Sequence, residues 1–91
     1  MKLYKFYADW CQPCKAQTKL LEDLNENIEI IPINIEEESS SELCEKYGVR
    51  SLPTLVLVDE FGGDLKIWHG VTHPKEISEA IDELEKADTE E

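Results

Sequence analysis

The sequence predicts an α/β domain in the order β-α-β-α-β-β-α, a four-stranded mixed sheet covered by three helices. Three observations predict it. Short aromatic or β-branched runs alternate with longer stretches whose apolar residues recur at helical spacing. A glycine-rich turn joins the last two extended runs, which makes them antiparallel neighbours. The chain has 91 residues, enough for one compact domain and not for two.

The elements follow in order. Residues 3–7, Leu-Tyr-Lys-Phe-Tyr, read as a strand with Leu3, Lys5 and Tyr7 on one face and Tyr4 and Phe6 on the other. Residues 12–25 read as a helix with Ala16, Leu20, Leu21 and Leu24 on one stripe. Pro13 fits its first turn, where a missing N–H costs nothing. Residues 28–35 form the next strand. Pro32 within it points to an edge strand or to a position facing away from its neighbour. Ser39 and Glu42 have the spacing of a capping box, and Gly48 is a helix stop. Leu43, Cys44 and Tyr47 supply the buried side of that short helix. Residues 54–58 are a continuous apolar run and predict a fully buried strand. Residues 61–64 form a turn, and residues 65–69 pair back. Thr72, His73 and Pro74 open the last helix, whose Ile77, Ala80, Ile81 and Leu84 face inward. The first two strands, joined by a helix, are expected to be parallel through a right-handed crossover. Residues 1–87 are read as the domain and 88–91 as an acidic tail.

Charge narrows the function. Lys and Arg number 9 against 21 Asp and Glu, a net charge of -12. Nucleic acid and anionic membrane surfaces both require a basic patch and are not expected partners. The acidic surface serves solubility and can steer basic protein partners. No apolar run is long enough to span a bilayer. The N-terminal residues lack the apolar stretch of a signal peptide, so a cytoplasmic location is expected; the domain is also read as a monomer. Three cysteines are an odd number, which argues against a disulfide scaffold.

The chemistry centres on Trp10-Cys11-Gln12-Pro13-Cys14-Lys15, between the first strand and the first helix. The thiolate is the nucleophilic form of cysteine. A helix N-terminus, with unpaired N–H groups and the positive end of the dipole, favours it. Cys11 is expected to be the exposed attacking thiolate, with Cys14 one turn further in. Cys14 would then take over the bond by attacking the Cys11 sulfur. Two other readings of a C-x-x-C pair stand beside this one. It is also half of a zinc site, with Cys44, His69 and His73 as the remaining candidates, or it is an inert structural pair.

The hexapeptide around the cysteines resembles the thioredoxin active-site motif, with Gln12 where glycine is usual. About forty residues on, Tyr47-Gly48-Val49-Arg50-Ser51-Leu52-Pro53-Thr54 resembles the second signature of that family. The resemblance covers nearly the whole chain. It implies a thioredoxin fold in a short form of glutaredoxin size, without the N-terminal strand and helix of longer members. It also implies a cis peptide before Pro53, opposite the cysteines, so that Leu52 offers its backbone to an extended substrate by strand-like pairing. Trp10, Pro13, Leu52, Gly70 and Val71 would form an apolar collar around Cys11.

Lys5 stands where the family usually buries an aspartate, and Pro32 where a lysine often lies near it. Lys5 is therefore a candidate for tuning the ionisation of Cys14. Cys44 is read as a small apolar packing residue, His73 as a helix-start residue and His69 as a strand residue near the site.

The resemblance implies a protein disulfide reductase that works through Cys11 and Cys14 without a further cofactor. Its substrates would be disulfide-containing proteins and its electron donor a thioredoxin reductase. A glutaredoxin-like protein served by the glutathione system is the alternative within redox chemistry. Trp10 before Cys11 and the Ser51-Leu52-Pro53 segment favour the thioredoxin type. From a different class, the fold could serve as a binding module with idle cysteines.

Overall fold

A computed structural model describes residues 1–24 and 26–89, the last three by their backbone alone. Strand β1 (Lys2–Tyr7) leads into helix α1 (Gln12–Leu21), then strand β2 (Glu29–Asn34). A single 3-10 turn (Glu38–Ser40) runs into helix α2 (Ser41–Lys46). Strands β3 (Thr54–Val58) and β4 (Asp64–His69) and helix α3 (Pro74–Thr89) complete the chain. The sheet order is β2-β1-β3-β4. β1 runs parallel to β2 and antiparallel to β3, and β3 runs antiparallel to β4. This is the predicted mixed sheet. Its edge strand β2 accommodates Pro32, whose Cα lies opposite Lys5, because an outer strand leaves one side without ladder bonds.

Alternation along β1 splits the core into two layers. Leu3 joins Leu55 and Leu57 of β3, Leu21 of α1, and Ile77 and Ile81 of α3. On the opposite face Phe6 joins Ile33, Val56, Val58 and Tyr47 at the end of α2. All five residues of β3 are buried, so this strand draws on both layers. Each fully buried aliphatic side chain contributes about 1.5–3 kcal/mol. Helices α1 and α3 therefore cover one face and α2 the other.

The helix boundaries differ from the pattern in two places. α1 ends at Leu21, four residues short of the predicted stretch, and Asn25 lies outside the described residues. The N–H groups of Glu22, Asp23 and Leu24 each bond three residues back, which tightens the chain and brings Leu24 and Ile28 onto the first layer. The buried stripe of α1 is Cys14, Gln17 and Leu21, whereas Ala16 is exposed. Ser39 and Glu42 form no capping box. Ser39 sits inside the 3-10 turn, and Ser40 precedes α2 with helical backbone and no side-chain cap. The turn already gives the first amides partners, since Ser40 N–H bonds the Glu37 carbonyl and Ser41 N–H that of Glu38.

The end of α2 follows the pattern. Gly48 takes φ +64°, which glycine adopts without a Cβ penalty. Val49 N–H bonds the Cys44 carbonyl at 2.9 Å and Gly48 N–H that of Glu45 at 3.3 Å, a Schellman cap. α3 runs to Thr89, two residues into the segment read as an acidic tail. Glu90 and Glu91 lie outside the described residues. No helix among the described residues is long and apolar enough to cross a membrane.

Candidate active site

The loop after β1 turns at Ala8, whose carbonyl accepts the Cys11 N–H at 3.1 Å. Cys11 is the N-cap residue of α1, with extended backbone at φ -85° and ψ 106°. Its sulfur accepts the backbone N–H of Cys14 at 3.1 Å. It therefore takes the place that a serine or aspartate oxygen holds in an ordinary cap. Pro13 lies in the first turn, and no acidic side chain competes there. Cys11 and Cys14 are joined in a disulfide, with their Cα atoms 5.3 Å apart.

Cys11 is not the exposed residue expected from its position: it is 4% exposed and Cys14 3%. The bonded sulfurs pack with Ala8 against Tyr7, Ile35 and Leu52. Beside them opens a cavity of about 760 Å³. Trp10, Cys11, Pro13 and Leu52 line it, and Trp10 is 65% exposed rather than packed in the core. Ile35, Cys44, Val49 and Arg50 also line it. These four were not among the expected substrate contacts. Ile35 and Cys44 carried only an apolar pattern on a strand and a helix, which serves a core equally well, and Val49 and Arg50 lie in the loop before β3 with no signal of their own.

Of the five residues expected to form a collar, Trp10, Pro13 and Leu52 line this cavity, and Gly70 and Val71 lie in the loop after β4 beside Pro53. The Leu52–Pro53 peptide bond is cis, and Pro53 is buried beneath it. Gly70 N–H bonds the Pro53 carbonyl at 2.8 Å, which keeps the loop after β4 beside the proline. The chain then turns toward α1, because Thr72 is tied to Gln17. Val71 is left 48% exposed.

Behind the second cysteine lies a smaller cavity of about 320 Å³, lined by Lys5, Tyr7, Asp9, Cys14, Lys15 and Thr18 among others. The Lys5 amine donates to Thr18 Oγ1 at 2.7 Å. That hydroxyl donates in turn to the Cys14 carbonyl at 3.1 Å. The amine also stands 5.5 Å from the centre of the Tyr7 ring. Desolvation by partial burial lowers the Lys5 pKa, since burial disfavours the charged form.

The remaining candidates do not join the sulfur pair. Cys44 packs in the second core layer, and burial pushes its thiol pKa up, which makes it a poorer nucleophile at neutral pH. His73 Nδ1 accepts the Lys75 N–H at 3.2 Å, so this residue does open α3. His69 sits in β4, its Nδ1 3.5 Å from Thr54 Oγ1. Among the described residues, the one group of three close metal-type ligands is Glu26, Asp82 and Glu85. The cysteines and histidines do not assemble into the zinc set considered from the sequence.

A strand that delivers a sulfur pair to a helix N-terminus, facing a cis proline, defines the thioredoxin-like class of protein. The family model for thioredoxin matches residues 1–83, and the chain belongs to that family. It is 37% identical to thioredoxin of Rickettsia bellii over 59 residues, which are 60% of this chain and 54% of the relative. It is 37% identical to thioredoxin of Bacillus subtilis over 62 residues, 64% of this chain and 58% of that one. The chain thus spans little more than half the length of these curated relatives. Among solved structures, a mutant thioredoxin from Halobacterium salinarum superposes with TM-score 0.76 at 31% identity, covering 89% of this chain and 71% of its own. Thioredoxin 1 from Thermosipho africanus shares the fold at TM-score 0.77 and 23% identity, covering 97% of this chain and 98% of its own.

Proposed function

We propose that this chain is a thiol–disulfide oxidoreductase that reduces protein disulfides through a Cys11/Cys14 relay in the cytoplasm. The observation that carries the reading is the Cys11 sulfur capping α1 and accepting the Cys14 N–H at 3.1 Å. A cap position at the positive end of the helix, with no acidic side chain in the first helical turn, stabilises a negative sulfur.

In the reduced protein the Cys11 thiolate attacks one sulfur of a substrate disulfide. The second substrate sulfur leaves as a thiolate and takes a proton from solvent. Cys14 loses its proton and attacks the Cys11 sulfur, forming the Cys11–Cys14 bond and expelling the first substrate sulfur. Two electrons pass from the dithiol to the substrate. A reductase of the thioredoxin reductase type must return two electrons and two protons before the next cycle. The electrons pass through the two sulfurs without a separate cofactor. The cavity beside Cys11 suits an extended segment with apolar side chains next to its disulfide, paired to the backbone of Leu52 and bordered by Trp10 and Pro13. Lys5 acts behind this surface. Its ammonium, tethered by Thr18 over the cavity it shares with Cys14, favours the Cys14 thiolate in the second step.

Insulin reduction tests the reading. Turnover is expected with NADPH and thioredoxin reductase, and is expected to be much slower with glutathione. Cys11→Ser abolishes it, and Cys14→Ser accumulates a mixed disulfide with the substrate. No turnover with either donor rejects the oxidoreductase reading, and faster turnover with glutathione moves the chain to the glutaredoxin type.

A further inference from the structure

α1 carries a polar side chain in the middle of its apolar stripe. Gln17 is 0% exposed and lies one turn beyond Cys14 on the same face. Both ends of its amide are bound, and both to one residue. Nε2 donates to the Thr72 carbonyl at 2.9 Å, and Oε1 accepts the Thr72 N–H at 2.6 Å. Thr72, 3% exposed, passes the connection on. Its hydroxyl donates to the Gly70 carbonyl at 3.1 Å. Gly70 N–H then reaches the Pro53 carbonyl at 2.8 Å. Residues far apart in sequence thus link the cysteine-bearing helix to the proline loop through hydrogen bonds.

The choice of side chain has a physical reason. A carboxamide offers a donor and an acceptor side by side, as a strand backbone does. Glutamine can therefore pair with a single residue's N–H and C=O without burying a charge. An apolar side chain at position 17 would leave two buried backbone groups of Thr72 without partners, which is costly. A glutamate would present two acceptors once ionised and repel the Thr72 carbonyl.

We infer that Gln17 is a positioning residue that clamps the loop 70–72 to α1 and so sets the edge of the protein-substrate site. It touches neither sulfur. It acts through Thr72 and Gly70 on the proline loop, so it governs how a folded substrate docks rather than how the sulfurs exchange. The inference rests on the oxidoreductase reading for its functional consequence, and on the hydrogen-bond chain alone for its structural one.

The test compares insulin with a small aromatic disulfide, which reaches Cys11 without needing the loop. For Gln17→Leu, the ratio of kcat/KM on insulin to kcat/KM on the small disulfide is expected to fall roughly fivefold, the worth of one neutral hydrogen bond. The fall should lie in KM. Gln17→Glu supplies a rescue that mere packing would not give. Its ratio should approach wild type at low pH, where the carboxyl is protonated and can donate and accept, and fall as pH rises. Using a ratio cancels the titration of the cysteines. A ratio unchanged in both variants, or an equal loss on both substrates, overturns the inference. Amide hydrogen exchange decides the structural half independently of activity. Gln17→Leu, or Gln17→Glu at high pH if the first variant does not fold, must speed exchange at Thr72 and Gly70. Unchanged protection at those amides refutes the clamp even in an active enzyme. Accelerated exchange in the variants, beside a wild type that reduces neither disulfide, keeps the clamp and rejects the oxidoreductase reading instead.

Discussion

Replacing Lys5 by methionine isolates what a cation behind the second cysteine does. The two groups border one cavity of about 320 Å³. With a separation on the order of 8 Å and an effective dielectric of roughly 40 for a half-exposed site, the attraction between ammonium and thiolate is about 1 kcal/mol. Losing it raises the Cys14 pKa by roughly 0.7 of a pH unit. The thiolate population below that pKa drops about fivefold, and the resolving step slows in proportion. Tyr7 of β1, Asp9 of the following loop and Lys15 of α1 also border the cavity and are left unchanged, so the difference between variants reports Lys5. The assay uses a Cys11→Ser background with 13C-labelled cysteine, following the Cβ shift of Cys14 against pH, with Cys44 as internal reference. Lys5→Arg keeps a permanent charge and should retain most of the wild-type midpoint. A midpoint that stays put in Lys5→Met, or moves as far in Lys5→Arg, refutes the electrostatic argument. Stability supplies a cross-check. The folded Lys5 pKa is lowered from 10.5, so in the window between the lowered value and 10.5 the unfolded chain binds the extra proton. Wild-type stability therefore gains a component as pH rises through that window, and Lys5→Met lacks it.

Two further outcomes test the frame around the site. Asp59 accepts the N–H groups of Gly63 and Phe61 at 2.9 and 2.8 Å, and these bonds hold its carboxyl below the ordinary value of 3.8. Its contribution to stability is present above 3.8 and is lost as pH falls through the lower folded value. Asp59→Asn keeps the acceptor but not the charge, so the gap in urea midpoint between the two proteins should shrink on acidification. A constant gap contradicts the assignment. Gly48→Ala places a Cβ at φ +64° with nothing within 4 Å of it. The cost is then conformational alone, about 1–2 kcal/mol by urea unfolding, with activity retained. An unchanged midpoint would show that the positive φ is not needed.

Local pattern explains which parts were legible. The order of elements, the buried run of β3, the proline at the edge strand and the Gly48 stop all follow from periodicities and backbone preferences within a few residues. The two places where the pattern misled are equally local in appearance and non-local in cause. Ala16 looked like a core residue because it is apolar, yet Gln17 occupies the stripe, since Thr72 supplies its partners. Ser39 and Glu42 had the spacing of a cap, but the 3-10 turn ahead of α2 had already satisfied the amides they would serve. The surroundings of Cys11 were legible only in part for the same reason. Gly70 is held to Pro53 and Thr72 to Gln17 by hydrogen bonds that no local stretch foretells, and Ile35, Cys44 and Val49 join the cavity from elsewhere in the chain.

By itself the sequence determined that a sulfur pair sits between a strand and a helix. That junction makes one sulfur a helix cap, because strand, turn and first helical residues are contiguous and their geometry is set by their own dihedral preferences. Only the tertiary structure decided what surrounds the pair. Gln17 and Thr72 are 55 positions apart and Lys5 and Thr18 13 apart, and such partners meet only after the sheet order is established. The energy of a buried hydrogen bond depends on whether its partner arrives, and nothing in a local stretch of residues carries that information.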